Sequence, residues 1–171
     1  MDLTAEQAKF MADFALVTSE QEREATKRVI AAVPASGLNY SPDPKSMKAL
    51  DLAWHLASAE WFFLNSVLEG KFSGGDSHRP ENIKSVEDVL NWYDQNIPPL
   101  VARVKALSGA QLAQSIDFFG MMQAPGAWYL SLMIRHGVHH RGQLSAYLRP
   151  KGAKVPSIYG PSADTQTTVA N

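Results

Sequence analysis

Two histidines four positions apart, His136 and His140, carry the most chemistry in this chain. On a helix that spacing sets two side chains about 40° apart and one turn apart along the axis, so both imidazoles can reach a common ion. Tyr129, Leu132, Met133, Gln143, Leu144 and Tyr147 fall in the same sector, while Ser131, Arg135, Gly142 and Arg149 fall opposite. The pair therefore points toward a core. Two buried imidazoles are costly unless their ring nitrogens find partners; a metal ion satisfies one nitrogen of each ring, and neighbouring groups can take the other. Position 137 is glycine rather than glutamate, so this is not the HExxH metalloprotease signature. His139 lies about 60° from His136, on the side away from His140, and reads as an outer hydrogen-bonding partner or a structural residue.

Two ligands do not complete a site. The candidates for a third are His55, His78 and carboxylates. His55 sits in an apolar helical stretch beside Trp54 and close to Glu60. His78 stands next to Arg79-Pro80 in a polar loop and reads as solvated. Taken alone, a buried histidine is more often a hydrogen-bonded core residue than a ligand. Beside an inward-facing pair, His55 is the better choice.

Composition narrows the chemistry further. Cysteine is absent, which removes disulfides, thiolate zinc sites, iron–sulfur clusters and a cysteine nucleophile. Any metal must sit on nitrogen and oxygen, and any thiol must come from outside. With 16 basic and 17 acidic residues the net charge is −1, which gives no case for a nucleic-acid or anionic-membrane partner. No apolar run approaches the roughly 20 residues of a membrane helix, and the first residues do not resemble a secretory signal. The expectation is a cytoplasmic protein.

The elements that must position these residues are helices. Thr4 and Gln7 form a capping box for a first helix with an apolar stripe at Phe10, Phe14 and Val17; the polar run Glu20–Glu24 is expected to face solvent, and Pro34–Gly37 ends the helix. Asp43-Pro44 reads as the start of a second helix over about 45–69. That helix is apolar nearly all round, which points to a subunit interface and a homodimer. A third begins near Ser85 with Asp88 as capping partner and carries the stripe Val86, Val89, Tyr93, Ile97, Leu100, Val104 and Leu107. Pro98-Pro99 predicts a kink or a one-residue break. The stretch 108–124 reads as an irregular, apolar connection covering one end. The fourth helix runs from about Gly126 to Arg149, stopped by Pro150 and Gly152. No strand alternation is evident. The prediction is one all-α domain over 1–163, an up-down-type four-helix bundle, with a flexible tail from Asp164 to Asn171.

The string His136-x3-His140-Arg141-Gly142-Gln143-Leu144, together with His55-Leu-Ala-Ser-Ala-Glu60 and the segment Val155–Asp164, resembles the DinB-like family over essentially the whole chain. The resemblance implies a four-helix bundle, often dimeric, with a metal triad of His55, His136 and His140. It also implies kinship with metal-dependent thiol transferases, alongside members known only as damage- or stress-inducible proteins. Three histidines leave a coordination position open, as at a catalytic metal. Zinc or nickel suits the set, with iron or manganese as alternatives. The leading expectation is a transferase that joins an external low-molecular-weight thiol to an electrophile, with no catalytic residue assigned. The rivals are a non-catalytic metal-binding stress protein and a metal-dependent hydrolase. Trp54, Trp61, Phe118, Phe119 and Tyr129 are candidate apolar walls; Gln143, Glu60 and Tyr159 are candidate polar contacts.

Overall fold

In a computed structural model, residues 2–74 and 78–166 are described. Four long helices, α1 (Ala5–Ala31), α2 (Ala49–Glu69), α3 (Val86–Lys105) and α5 (Gly126–Leu148), surround one apolar core. Between α3 and α5 lie a one-turn helix α4 (Gly109–Ala113) and a hairpin of β1 (Ser115–Phe118) and β2 (Met122–Pro125). The protein is mostly helical. Among the described residues, no helix is long and apolar enough to cross a membrane.

Local chemistry explains most boundaries. Thr4 and Gln7 close the capping box that opens α1, and Ser85 and Asp88 close the one that opens α3. α3 runs through Pro98 and Pro99 with no break. Both prolines are exposed, and so are Asp94 and Gln95, whose carbonyls lose their helical donors there, so the missing bonds fall on the solvent side of the helix. α2 begins later than Asp43-Pro44 suggests. The Asp43 side chain accepts from Lys45 N at 2.8 Å and its carbonyl from Ser46 N at 2.9 Å, so the Asp-Pro pair builds a turn. The helix itself opens at Ala49 without a side-chain cap.

Two further expectations change. Phe10, Phe14 and Val17 are 74%, 67% and 59% exposed, so the large apolar stripe of α1 faces outward. The buried face of α1 is instead Ala8, Ala12, Ala15 and Ser19, small side chains that let neighbouring helices approach closely, beside Leu16, and it continues to Arg23, which is buried rather than solvated. The connection after α3 contains the hairpin that alternation did not reveal. Its tip turns through Phe119 and Gly120, both at positive φ. Leu112, Ile116 and Ala124 are buried, and the Tyr129 hydroxyl donates to the Ile116 carbonyl at 3.0 Å, so this segment does cover one end of the helices.

Helix directions follow from paired contacts. Lys9 reaches the Lys105 carbonyl at 3.1 Å while Lys27 pairs with Asp94 at 2.7 Å, so α1 and α3 are antiparallel. A Cβ on Gly126 would lie 3.4 Å from Val67, while His55 meets His140, so α2 and α5 are antiparallel. A groove is lined by residues between Phe10 and Thr18 on α1 and between Ser131 and Arg135 on α5, and Glu22 and Arg141 meet farther along both helices, so α1 and α5 are parallel. α2 and α3 therefore run the same way, which departs from strict up-down alternation. By Arg79, which pairs with Asp51 at 2.7 Å, the chain has returned to the start of α2. The connecting segment allows this: its sixteen residues (70–85) can extend about 50 Å, against about 32 Å for α2 itself.

After a 3₁₀ turn at Arg149–Lys151, the chain returns along α5 and α1. Asp164, the first residue of the expected tail, accepts from Arg149 Nε and Val155 N at 3.0 Å each. Residues 167–171 of that tail lie outside the described residues.

Candidate metal centre

α5 presents His136 and His140 on one face, and antiparallel α2 brings His55 against them. The three rings form a nearly equilateral cluster, with centroid separations of 4.9 Å (His55–His136), 4.5 Å (His55–His140) and 4.4 Å (His136–His140). One nitrogen from each lies within 4.8 Å of the other two, and all three residues are half-buried. The His55 and His136 Nε2 atoms stand 3.2 Å apart. Two ligands of a tetrahedral ion with metal–nitrogen bonds near 2.05 Å are separated by about 3.3 Å, so these nitrogens already have the spacing a shared ion requires. A single N–H···N bond accounts for two of the rings and leaves the third unexplained.

Protonation agrees with that role. Burial first, then the charge of His140, pushes His55 down to about 4 from its ordinary 6.5. Burial again leads for His136, also near 4, with the other histidines adding to the effect. His140 is lowered by burial, against the opposing effect of the hydrogen bond it donates to Gln143. At neutral pH the cluster is three uncharged imidazoles, the form in which histidine binds metals. The Gln143 carbonyl oxygen lies 2.6 Å from His140 Nδ1. Accepting there places the proton on Nδ1 and leaves Nε2 free. The donor set therefore fits a divalent transition metal.

Of the other candidates, His78 and His139 are exposed and neither joins the cluster. His139 keeps an edge contact with the His140 ring at 4.8 Å. Phe63 packs 5.8 Å from His136 and leads into a cluster of Phe72, Phe118 and Tyr129, an apolar wall on one side of the histidines. Trp54 is buried against Trp92, and Trp61 is partly exposed on α2. Phe119 stacks parallel to Phe62 at the hairpin tip.

Of the candidate polar contacts, Gln143 meets the cluster, whereas Glu60 and Tyr159 are engaged elsewhere. Glu60 accepts from Arg23 Nε and Nη2 at 3.0 and 2.8 Å, and from the Tyr93 hydroxyl on its other oxygen. Tyr159 accepts from Arg141 at 2.5 Å and donates to Glu22 at 2.8 Å. Arg141, 2% exposed, also bonds the Glu22 carboxylate at 2.6 Å. The sequence reading missed Arg23 and Arg141 as buried cations. For Arg23 a signal existed: it continues the small-residue face of α1 through Ala8, Ala12, Ala15 and Ser19 rather than the phenylalanine stripe.

Comparison with known proteins agrees with this architecture. A protein of Bacillus subtilis (strain 168) described as uncharacterized protein YrdA is 27% identical over 154 residues, covering 89% of this chain and 90% of that one. Uncharacterized protein YjoA of the same organism is 27% identical over 133 residues, 76% of this chain and 84% of its own. The crystal structure of YjoA, described as a DinB-like protein, superposes with a TM-score of 0.70 at 24% identity, covering 85% of this chain and 98% of that one. A DinB-like protein from Bacillus cereus ATCC 10987 gives a TM-score of 0.70 at 24% identity, with 85% and 95% covered. These structures share the fold. The DinB family model matches residues 11–169, nearly the whole chain including all three clustered histidines, and the chain belongs to the DinB family.

Proposed function

We propose that this protein binds one divalent transition metal, zinc or nickel in the first instance, through His55, His136 and His140, and uses it to transfer an external low-molecular-weight thiol to an electrophile. The observation that carries the reading is the convergence of three neutral imidazoles, one nitrogen of each within 4.8 Å of the others. A bound ion with three histidine ligands supplies Lewis acidity and an open position, lowering the pKa of a thiol toward neutrality. The chain supplies the setting. Gln143 fixes the His140 ring, the Phe63–Phe118 side excludes water, and the absence of cysteine leaves the thiol to be brought in. A cytoplasmic location, where small thiols are kept reduced, suits this chemistry. The same reading takes the four long helices as one closed bundle built around the site.

The test has two stages. Elemental analysis of protein purified without an affinity tag should find about one metal per chain, and none after His136→Ala or His140→Ala; His55→Ala should bind far more weakly. Full occupancy in His55→Ala would remove the third ligand and the proposal with it. Metal-loaded protein should then form conjugates from electrophiles only when a small thiol is added. Turnover of esters or amides without thiol would instead make it a hydrolase. No turnover, with a melting temperature that depends on metal, would make it a non-catalytic metal-binding protein.

A further inference from the structure

Between the four long helices lies a small cavity that reaches the histidine cluster. Ser19 and Arg23 of α1, Glu60 of α2, Tyr93 of α3, and His136 and Gly137 of α5 are among its lining residues. The space open to the centre of a water molecule is about 20 Å³. One water needs roughly 10–15 Å³ by that measure, together with about two to four polar partners, so a single molecule fits.

Counting donors and acceptors identifies those partners. His136 presents Nε2 to His55, 3.2 Å away, and its Nδ1 has no hydrogen-bond partner among the described residues. A ligating imidazole ordinarily donates its second N–H to an oxygen, as His140 does to Gln143. In Glu60, Arg23 Nε and Nη2 both bond Oε1, which occupies the lone pairs of that oxygen. Oε2 accepts only from the Tyr93 hydroxyl and keeps a lone pair. Ser19 Oγ donates to the Leu16 carbonyl at 2.9 Å and can still accept. A donor in His136 and acceptors in Glu60 and Ser19 are what one water can satisfy.

We infer that one ordered water in this cavity accepts from His136 Nδ1–H and donates to Glu60 Oε2, which makes Glu60 a positioning residue for the His136 ring. The inference rests on the metal reading proposed above, in which Nε2 of His136 is a ligand. For His136 the water does what the Gln143 amide does for His140: it holds the proton on Nδ1 and leaves Nε2 free. A carboxylate one water away also raises the basicity of the ligating nitrogen. The Arg23–Glu60–Tyr93 network thereby gains a task beyond joining α1, α2 and α3. It holds the Glu60 carboxylate still, with its one spare lone pair turned to the cavity.

The experiment is water-selective NMR on the full chain with isotope-labelled histidine, with and without zinc, at neutral pH. His136 should carry its proton on Nδ1, and that proton should show a nuclear Overhauser contact to a long-lived water. Zinc bound without such a contact would overturn the inference and leave the metal reading intact. A contact retained in a protein that binds no zinc would sink the metal reading and keep the water. Chelator competition on folded variants then separates positioning from structure. Glu60→Gln should weaken zinc binding about 10-fold and shift the Nδ1–H resonance. Tyr93→Phe loosens the same network but leaves the carboxylate, so it should change neither. Unchanged affinity in Glu60→Gln, or equal losses in both variants, would overturn the positioning role. Circular dichroism checks the fold of each variant, and the wild-type spectrum decides the case if Glu60→Gln does not fold.

Discussion

Gln143 decides which nitrogen of His140 faces inward, because its amide oxygen accepts at 2.6 Å from Nδ1. Gln143→Leu should leave the fold intact and weaken metal affinity about 10- to 100-fold, read by competition with a chromophoric chelator. Unchanged affinity would mean the contact does not orient the ring. A second expectation concerns protons. In the metal-free fold His55 and His136 titrate near 4, whereas an unfolded chain takes up those protons around 6.5. Below 6.5 the unfolded state therefore binds more protons, so the metal-free protein should lose stability as pH falls from about 6.5 to about 4. Above that window these groups should contribute no slope. Urea midpoints in chelator at pH 7.5, 5.5 and 4.5 measure this, and His55→Gln/His136→Gln should flatten the trend. The i, i+4 pair was legible because helical spacing alone fixes it. The partners of Glu60 and Tyr159 were not, since both bonds reach across helices that no local pattern relates.

Along the elements, Arg23 on α1, Glu60 on α2 and Tyr93 on α3 tie three helices through one carboxylate. The Arg23 and Glu60 side chains are 9% and 11% exposed, so Glu60→Leu would strand a buried guanidinium. The expected loss is about 3–5 kcal/mol, seen as a lower denaturant midpoint. Glu60→Gln, which can still accept, should cost less; equal losses would show that packing rather than charge dominates. Caps at Thr4 and Ser85 could be read directly because their partners lie three residues away. The face of α1 was read backwards for a physical reason. Large apolar side chains suggest a core, but closely packed helices bury alanines. A hairpin with four-residue strands is too short for alternation to stand out.

Across the whole molecule, an ion held by three ligands from two helices would be a cross-link between α2 and α5. If free metal stands at 100 times its dissociation constant, it should add about 2.7 kcal/mol and raise the melting temperature by roughly 5–10 °C. His136→Ala should abolish the rise, and an equal rise in that variant would place the ion elsewhere. Hydrophobic periodicity announced four long helices but not their directions, because a connection as long as 70–85 can return the chain to either end. The resulting order carries a consequence for biosynthesis. His55 precedes His136 by 81 residues, and α5, which packs against α1 and α2, leaves the ribosome after the other three long helices. A metal held by all three histidines would therefore have to bind after α5 has been made. The ion would act as a latch on helices already made rather than as a seed around which they fold.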